Sequence, residues 1–179
     1  MKDCLFFLAW LFFAAVSHAS PPFAHTETGI SLPDRIAGLI RGKVTAYEGS
    51  PSEAGVAIPF QSDEVEITVF IRHLDPKKVS SPALVVDESL EAVKQMEASG
   101  TYSNVKIFKS VDDSGMPGWS KGAFTAKNDQ AFVMSLIYAT IKAEHAIKVR
   151  ITTANPKNDS IGKFVSEFQK IVNDAKPKR

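Results

Sequence analysis

The alternation of apolar and polar residues over Val65–Leu74 constrains the fold more than any other feature of the sequence. Every second residue from Val65 to Ile71 is Val or Ile, and Glu66 and Thr68 lie between them. A two-residue period of this kind predicts a strand with one buried face. Residues 55–61 alternate as well, and Ser62-Asp63 is a turn signal between the two segments, so the pair is predicted to form a β-hairpin.

Further strands are expected at 39–47, 104–111, 119–127, 130–141 and 146–153. Most links between these segments are of hairpin length, which favours antiparallel neighbours. Within 39–47, the alternation places Ile40, Val44 and Ala46 towards the core and Arg41, Lys43, Thr45 and Tyr47 on the polar side.

Two segments have helical periodicity. Ser81-Pro82 is a capping signal for a helix near 82–99, and Gly100 can end that helix in the left-handed conformation. The final segment places Ile161, Phe164, Val165, Phe168, Ile171 and Val172 on one helical stripe. A helix must bury its apolar stripe, so both are expected to pack on the sheet. The predicted fold class is α+β: a single domain with a curved antiparallel sheet of about six or seven strands, the C-terminal amphipathic helix and the second helix.

The N-terminus has the pattern of a secretory signal peptide over residues 1–19. Lys2 precedes an unbroken apolar run of about twelve residues, and Ser17-His18-Ala19 provides small residues for cleavage near Ala19. We therefore expect a flexible leader over 20–30, the α+β domain over 31–175 and a charged tail over 176–179. The mature protein would be periplasmic or secreted, without a transmembrane segment, since no other apolar run approaches about 20 residues.

Composition limits the chemistry. The net charge is +1, which gives no field that would attract nucleic acid. The single cysteine, Cys4, would leave with the signal, so no disulfide and no thiol chemistry are expected. No nucleophile elbow, phosphate-binding loop or dinucleotide fingerprint is present, and hence no catalytic residue or cofactor is assigned. His25, His73 and His145 do not have the short spacing of a zinc motif, and we predict no metal site.

Basic residues recur on the polar sides of the predicted strands. Arg41, Lys43, Arg72, Lys148 and Arg150 fall there, together with Tyr47 and Phe70. If these strands are neighbours, the residues form a basic face that could bind an anion. We predict Arg41, Tyr47, Arg72 and Arg150 as its ligand-binding residues, because arginine presents a planar fork of donors to carboxylate or phosphate. The alternative is an ordinary solvated sheet face, where long basic side chains cover apolar surface.

The segment Leu32–Phe60 resembles the start of a family of small exported bacterial proteins of unknown function. The resemblance rests on Leu32-Pro33, Gly38, Gly42, Tyr47-Glu48, Gly55 and Phe60, and on Lys148–Ala154 before a terminal amphipathic helix. The order of elements is also similar to that of the Mog1/PsbP-like group. That resemblance implies an antiparallel sheet packed with helices and a role in binding or assembly.

The sequence thus predicts an exported protein without a catalytic site, which binds an envelope protein or a small anionic ligand or assists envelope assembly. The alternative is a periplasmic hydrolase with an active site that no motif reveals.

Overall fold

The structure is a computed structural model that describes residues 21–47, 54–75, 81–111, 116–128, 131–155 and 157–177. The predicted signal peptide, 1–19, lies outside the described residues. The strands are β1 Phe23–His25, β2 Ile30–Leu32, β3 Arg35–Ile36, β4 Leu39–Arg41, β5 Thr45–Tyr47, β6 Gly55–Gln61, β7 Val65–His73, β8 Ser103–Val111, β9 Ser120–Asn128, β10 Ala131–Lys142 and β11 His145–Thr153. The helices are α1 Pro82–Ala98 and α2 Asp159–Asp174.

One antiparallel sheet organises these elements, in the order β3-β4-β6-β7-β11-β10-β9-β8, with β5 paired to β6. The strand predicted most clearly, β7, lies between β6 and β11, away from the sheet edges. Its Val and Ile stripe is buried on one side of the sheet. The predicted α+β class and the antiparallel sheet with two helices are therefore confirmed.

The two helices cover opposite faces of this sheet. Phe164 and Phe168 of α2 pack in one core with Ile67 and Val149 of the sheet. Val86 and Leu90 of α1 belong to the other core. We call the two sides of the sheet the α2 face and the α1 face. Each helix buries one apolar stripe, so the main sheet has an apolar layer on both sides.

Local signals define the helix ends. The side chain of Ser81 accepts a hydrogen bond from the Leu84 N–H at 3.2 Å, as the N-cap of α1. Gly100 follows the C-cap with a φ of 80°, the left-handed conformation expected of it. Asn158 caps α2 by accepting from the Ser160 N–H at 2.9 Å. No helix in the described ranges is long and apolar enough to span a bilayer.

The described part of the predicted flexible leader contains strand β1 and the turn that leads into β2. β1 and β2 pair in antiparallel register, and Ile30 and Thr28 are fully buried. Gly29 has a φ of 71°, and a Cβ there would lie 2.1 Å from the Lys176 carbonyl oxygen. The hairpin thus packs against the chain that follows α2, a long-range contact that local composition does not reveal.

Within the described residues, the main sheet has nine strands rather than six or seven, partly because the predicted strand 39–47 divides into β4 and β5. The Gly42 N–H donates to the Pro59 carbonyl at 2.8 Å where the strand is interrupted. The interruption also reverses the predicted faces: Leu39 is buried, whereas Ile40 is 48% exposed. Leu39 and Ile40 are both apolar, so the alternation fits the strand with either residue facing inward. Only the packing decides which of the two faces the core.

The turn between β10 and β11 has an unusual backbone. Ala143 and Glu144 have φ values of 47° and 60°. Two central residues with positive φ define the hairpin turn that suits the twist of the strands, but that turn favours Asn and Gly. The Leu74 N–H donates to the Glu144 carbonyl at 2.8 Å. The residue that follows β7 therefore also contacts this turn.

Candidate functional site

Three of the predicted basic residues come together on the α1 face, along β7 and β11. Lys148 lies opposite Phe70, and Arg150 lies opposite Thr68. Arg72 is two positions beyond Phe70 and therefore on the same face. We call Arg72, Lys148 and Arg150 the basic cleft, since α1 borders them on one side.

An ion pair links the cleft to the helix. Arg72 Nη2 lies 2.9 Å from Glu88 Oε2 on α1, and the Glu88 side chain is 61% exposed. A pair this exposed adds little stability, typically about 0–1 kcal/mol. It leaves the guanidinium accessible at the mouth of the cleft.

Lys148 lies between the two arginines and is mostly buried. Its Nζ is 4.7 Å from the centre of the Phe70 ring, a cation–π contact. Burial lowers the pKa of Lys148 to about 8, and the charges of Arg72 and Arg150 contribute in the same direction, against the opposing effect of Glu88. The three cationic side chains of the basic cleft thus outnumber the paired carboxylate of Glu88, which leaves a net positive charge.

Arg150 closes the inner end of the cleft. Its Nη2 donates to the Tyr102 hydroxyl at 3.0 Å, and its guanidinium lies 5.5 Å from the Phe124 ring centre. The Nε of Arg150 is buried and makes no hydrogen bond within the described residues. A cavity of about 100 Å³ adjoins Lys148 and Arg150, and its other lining residues are Ser89, Ala92, Val93, Met96, Phe124 and Ile137.

Tyr47 reaches the same face from the edge strand β5. It pairs with Gly55, which in turn lies opposite Arg72. A Cβ on Gly55 would lie 2.6 Å from the Tyr47 hydroxyl oxygen, so the absence of a side chain there makes room for the ring. Burial raises the pKa of Tyr47, and the nearby Arg72 charge opposes that shift.

Arg41 does not join this group, which corrects the prediction of one face. It lies opposite Phe60, a core residue on the α2 face. Its Nη2 donates to the Pro21 carbonyl. The interruption at Gly42 explains the difference, because residues before and after it belong to different phases of the pleat.

A second group of polar side chains lies at the end of the sheet, on the α2 face. His145 at the start of β11 is directly opposite His73 at the end of β7. The His145 ring centre is 5.0 Å from that of His73 and 5.1 Å from that of His25, which comes from β1. Glu27 Oε2 lies 2.7 Å from His145 Nε2. We call these four residues the histidine cluster.

Sequence analysis did not find the histidine cluster, because its members are far apart in the chain. Burial lowers the pKa of His25, and the neighbouring His145 acts in the same direction, while Glu27 raises it. The signal that could have suggested the cluster is the strand register: His73 ends one strand of a neighbouring pair and His145 begins the other. The position of His25 required the hairpin that sequence analysis interpreted as a flexible leader.

Comparison with known proteins supports the fold. One solved structure similar to this chain is the solution structure of cyanobacterial PsbP (CyanoP) from Synechocystis sp. PCC 6803, with a TM-score of 0.52 and 16% sequence identity. The match covers 89% of this chain and 93% of the other. The chain has a PsbP-like fold. No protein-family model and no curated protein matches the sequence.

This similarity confirms the resemblance to the Mog1/PsbP-like group at the level of the fold. The antiparallel sheet and the two helices of this chain match a PsbP-like fold. At 16% identity, it transfers no site residue, so the basic cleft and the histidine cluster are characterised by their own geometry.

Proposed function

We propose that the protein is an exported, non-enzymatic binding protein whose ligand is a small anion held in the basic cleft. The observation that carries the proposal is the position of Lys148 between Arg72 and Arg150, with Glu88 as the carboxylate paired at the mouth. An anion beside Lys148 would relieve the repulsion among these three cations. Burial strengthens such a contact, because the local dielectric is below that of water.

The shape of the cleft favours a carboxylate or phosphate that carries a short apolar group. The cationic groups of Lys148 and Arg150 would bind the charged end. Val93 and Met96 line the adjoining cavity of about 100 Å³, which offers space for a few carbon atoms. Tyr47 and Arg72 would complete the site at its open end.

Binding can be tested by calorimetric titration of the purified protein with hexanoate and with inorganic phosphate. We expect saturable binding of at least one of the two, weakened at least about tenfold by Arg150→Gln or Lys148→Met, since a hydrogen bond to a charged group contributes about 1.5–3 kcal/mol. The matched control is Lys94→Met, which removes an exposed lysine paired with Glu91 on α1. Equal affinity in the cleft variants and in the control would disprove the proposal.

Turnover would favour the alternative of a hydrolase. A screen of ester, peptide, phosphate and glycoside substrates is the appropriate test. Hydrolysis that disappears in Lys148→Met but persists in Lys94→Met would replace the binding proposal with an enzyme that uses this amine. A protein partner would be favoured instead if the wild type retains an envelope protein that the cleft variants do not retain, and if neither anion binds.

Export is part of the proposal and has its own test. The intact mass of the protein recovered from a bacterial periplasm should correspond to a chain that begins at Ser20, after removal of residues 1–19. A full-length mass in the cytosolic fraction would contradict export without affecting the binding measurement.

A further inference from the structure

The geometry points to a divalent transition-metal site formed by His25, Glu27 and His145. One potential ligand atom from each residue lies within 4.8 Å of the other two. The site is on the α2 face, on the other side of the sheet from the basic cleft, and it is independent of the proposed anion binding. Two imidazoles and a carboxylate form a donor set that suits zinc and its neighbours in the first transition row, with a further position open to water.

The hydrogen bonds of His145 define which of its atoms faces the metal. Nδ1 lies 2.6 Å from the Ala143 carbonyl oxygen. A carbonyl only accepts, so Nδ1 carries the hydrogen and donates it. The other nitrogen, Nε2, faces the Glu27 carboxylate at 2.7 Å. A metal-bound histidine commonly donates its second ring N–H to a backbone carbonyl, and His145 already does so.

Nε2 of His145 and the Glu27 carboxylate cannot contact each other without a bridging hydrogen or metal ion. An ionised carboxylate has only acceptor atoms, and a neutral imidazole that donates through Nδ1 has only a lone pair at Nε2. Either a proton or a metal ion must therefore lie between the two groups. The side chain of His145 is only 5% exposed, and a dication bonded to both Nε2 and the carboxylate would satisfy this buried ring.

His25 is oriented in a comparable way by Thr28, which is fully buried. His25 Nδ1 lies 3.1 Å from Thr28 Oγ1. The same hydroxyl accepts from the Ile30 N–H at 3.3 Å, so its own hydrogen can point to the His25 carbonyl at 3.5 Å. The Thr28 backbone N–H also donates to His25 Nδ1, at 3.4 Å, so the contacts with Thr28 fix the position of the His25 ring rather than its tautomer.

The distances allow closure around an ion. Bonds of about 2.0–2.2 Å in a tetrahedral site place ligand atoms about 3.4 Å apart. The limit of 4.8 Å among the three ligand atoms exceeds this separation, whereas the 2.7 Å between Glu27 Oε2 and His145 Nε2 is shorter than it, so an ion enters only if the Glu27 carboxylate moves away from His145. Glu27 is the residue free to move, since its side chain is 67% exposed, whereas the two histidines are attached to paired strands.

Calorimetric titration with zinc chloride tests the site, on purified protein without a polyhistidine tag and after treatment with a chelator. We expect one equivalent to bind, with at least about tenfold weaker binding in both Glu27→Gln and His25→Gln, because loss of even an outer partner of a ligand costs about 10–100-fold. The matched control, Glu91→Gln, removes an exposed carboxylate on α1 and should bind zinc as the wild type does.

Two further measurements separate metal binding from folding. The metal-free melting temperature of Glu27→Gln should be within a few degrees of wild type, since an exposed substitution costs about 0.5 kcal/mol or less. Cobalt should give the intense visible bands of a four- or five-coordinate ion in the wild type and lose them in Glu27→Gln. Absence of stoichiometric zinc binding, or unchanged affinity in both site variants, would overturn the proposal.

Discussion

Lys148 Nζ lies 4.7 Å from the centre of the Phe70 ring, directly across from it on the neighbouring strand. The ring provides an electrostatically favourable surface, but it does not replace the water that a free ammonium would bind. Burial and the charges of Arg72 and Arg150 therefore disfavour the charged form of Lys148.

Replacement of Lys148 by Met should stabilise the protein at neutral pH, by roughly 1–3 kcal/mol, because one pKa unit corresponds to about 1.4 kcal/mol. The folded-state pKa is lowered from 10.5 to about 8. Between these values the unfolded state binds more protons than the folded state, so the free energy of unfolding should rise with pH. Urea unfolding at pH 7 to 10 should show the advantage of Lys148→Met over wild type shrinking above pH 8, and Lys94→Met should show no such trend.

Anion binding in the cleft should take up protons near pH 8. An anion close to Lys148 favours the ammonium form, which raises the pKa of the amine from about 8 towards its ordinary value. Up to about half a proton per site should be absorbed at pH 8, and little at pH 6, where the amine is already charged. Calorimetry in two buffers with different ionisation enthalpies measures this number, and Lys148→Met should abolish it.

Leu39→Ala should be far more destabilising than Ile40→Ala. Leu39 is 1% exposed in the core of the α2 face, whereas Ile40 is 48% exposed. Truncation of a buried leucine costs about 2–5 kcal/mol, and an exposed substitution costs about 0.5 kcal/mol or less. Chemical denaturation of the two variants compares them directly. The opposite ranking would restore the face assignment that the sequence pattern suggested.

Gly55→Ala should destabilise the sheet edge and displace Tyr47. The new Cβ would lie 2.5 Å from the Ile71 carbonyl oxygen and 2.6 Å from the Tyr47 hydroxyl oxygen, and the backbone contact has little freedom to relax. We expect a loss of about 1–3 kcal/mol, typical of overpacking. Gly162→Ala in α2 is the control: its Cβ has no atom of the described residues within 4 Å, and it should stabilise the helix by about 0.5–1 kcal/mol.

Replacement of Ala143-Glu144 by Asn-Gly should raise the melting temperature. Both residues have positive φ values, which cost about 1–2 kcal/mol for ordinary side chains and much less for Asn and Gly. Differential scanning calorimetry should show an increase of several degrees for a domain of this size. A lower melting temperature would show that the alanine and glutamate side chains make contacts that compensate for the backbone.

Much of the fold was accessible from local patterns. The alternation over β7, the capping signal at Ser81 and the apolar stripe of α2 each predict an element that the structure contains. The assignment of Arg72 and Arg150 to the polar sides of their own strands also followed from alternation, because both strands are long and regular. Arg41 was assigned wrongly because its strand is short and is interrupted at Gly42, and the residues before and after the interruption belong to different phases of the pleat.

Periodicity and capping signals were sufficient to predict the type and approximate extent of the main elements, since both act over a few residues. The choice of neighbouring strands came from the three-dimensional packing. It places Lys148 between two arginines and brings His25, His73 and His145 together. These relationships depend on strand order and on the docking of the β1–β2 hairpin. Both are set by long-range packing of apolar faces, a property of the whole chain that no local segment encodes.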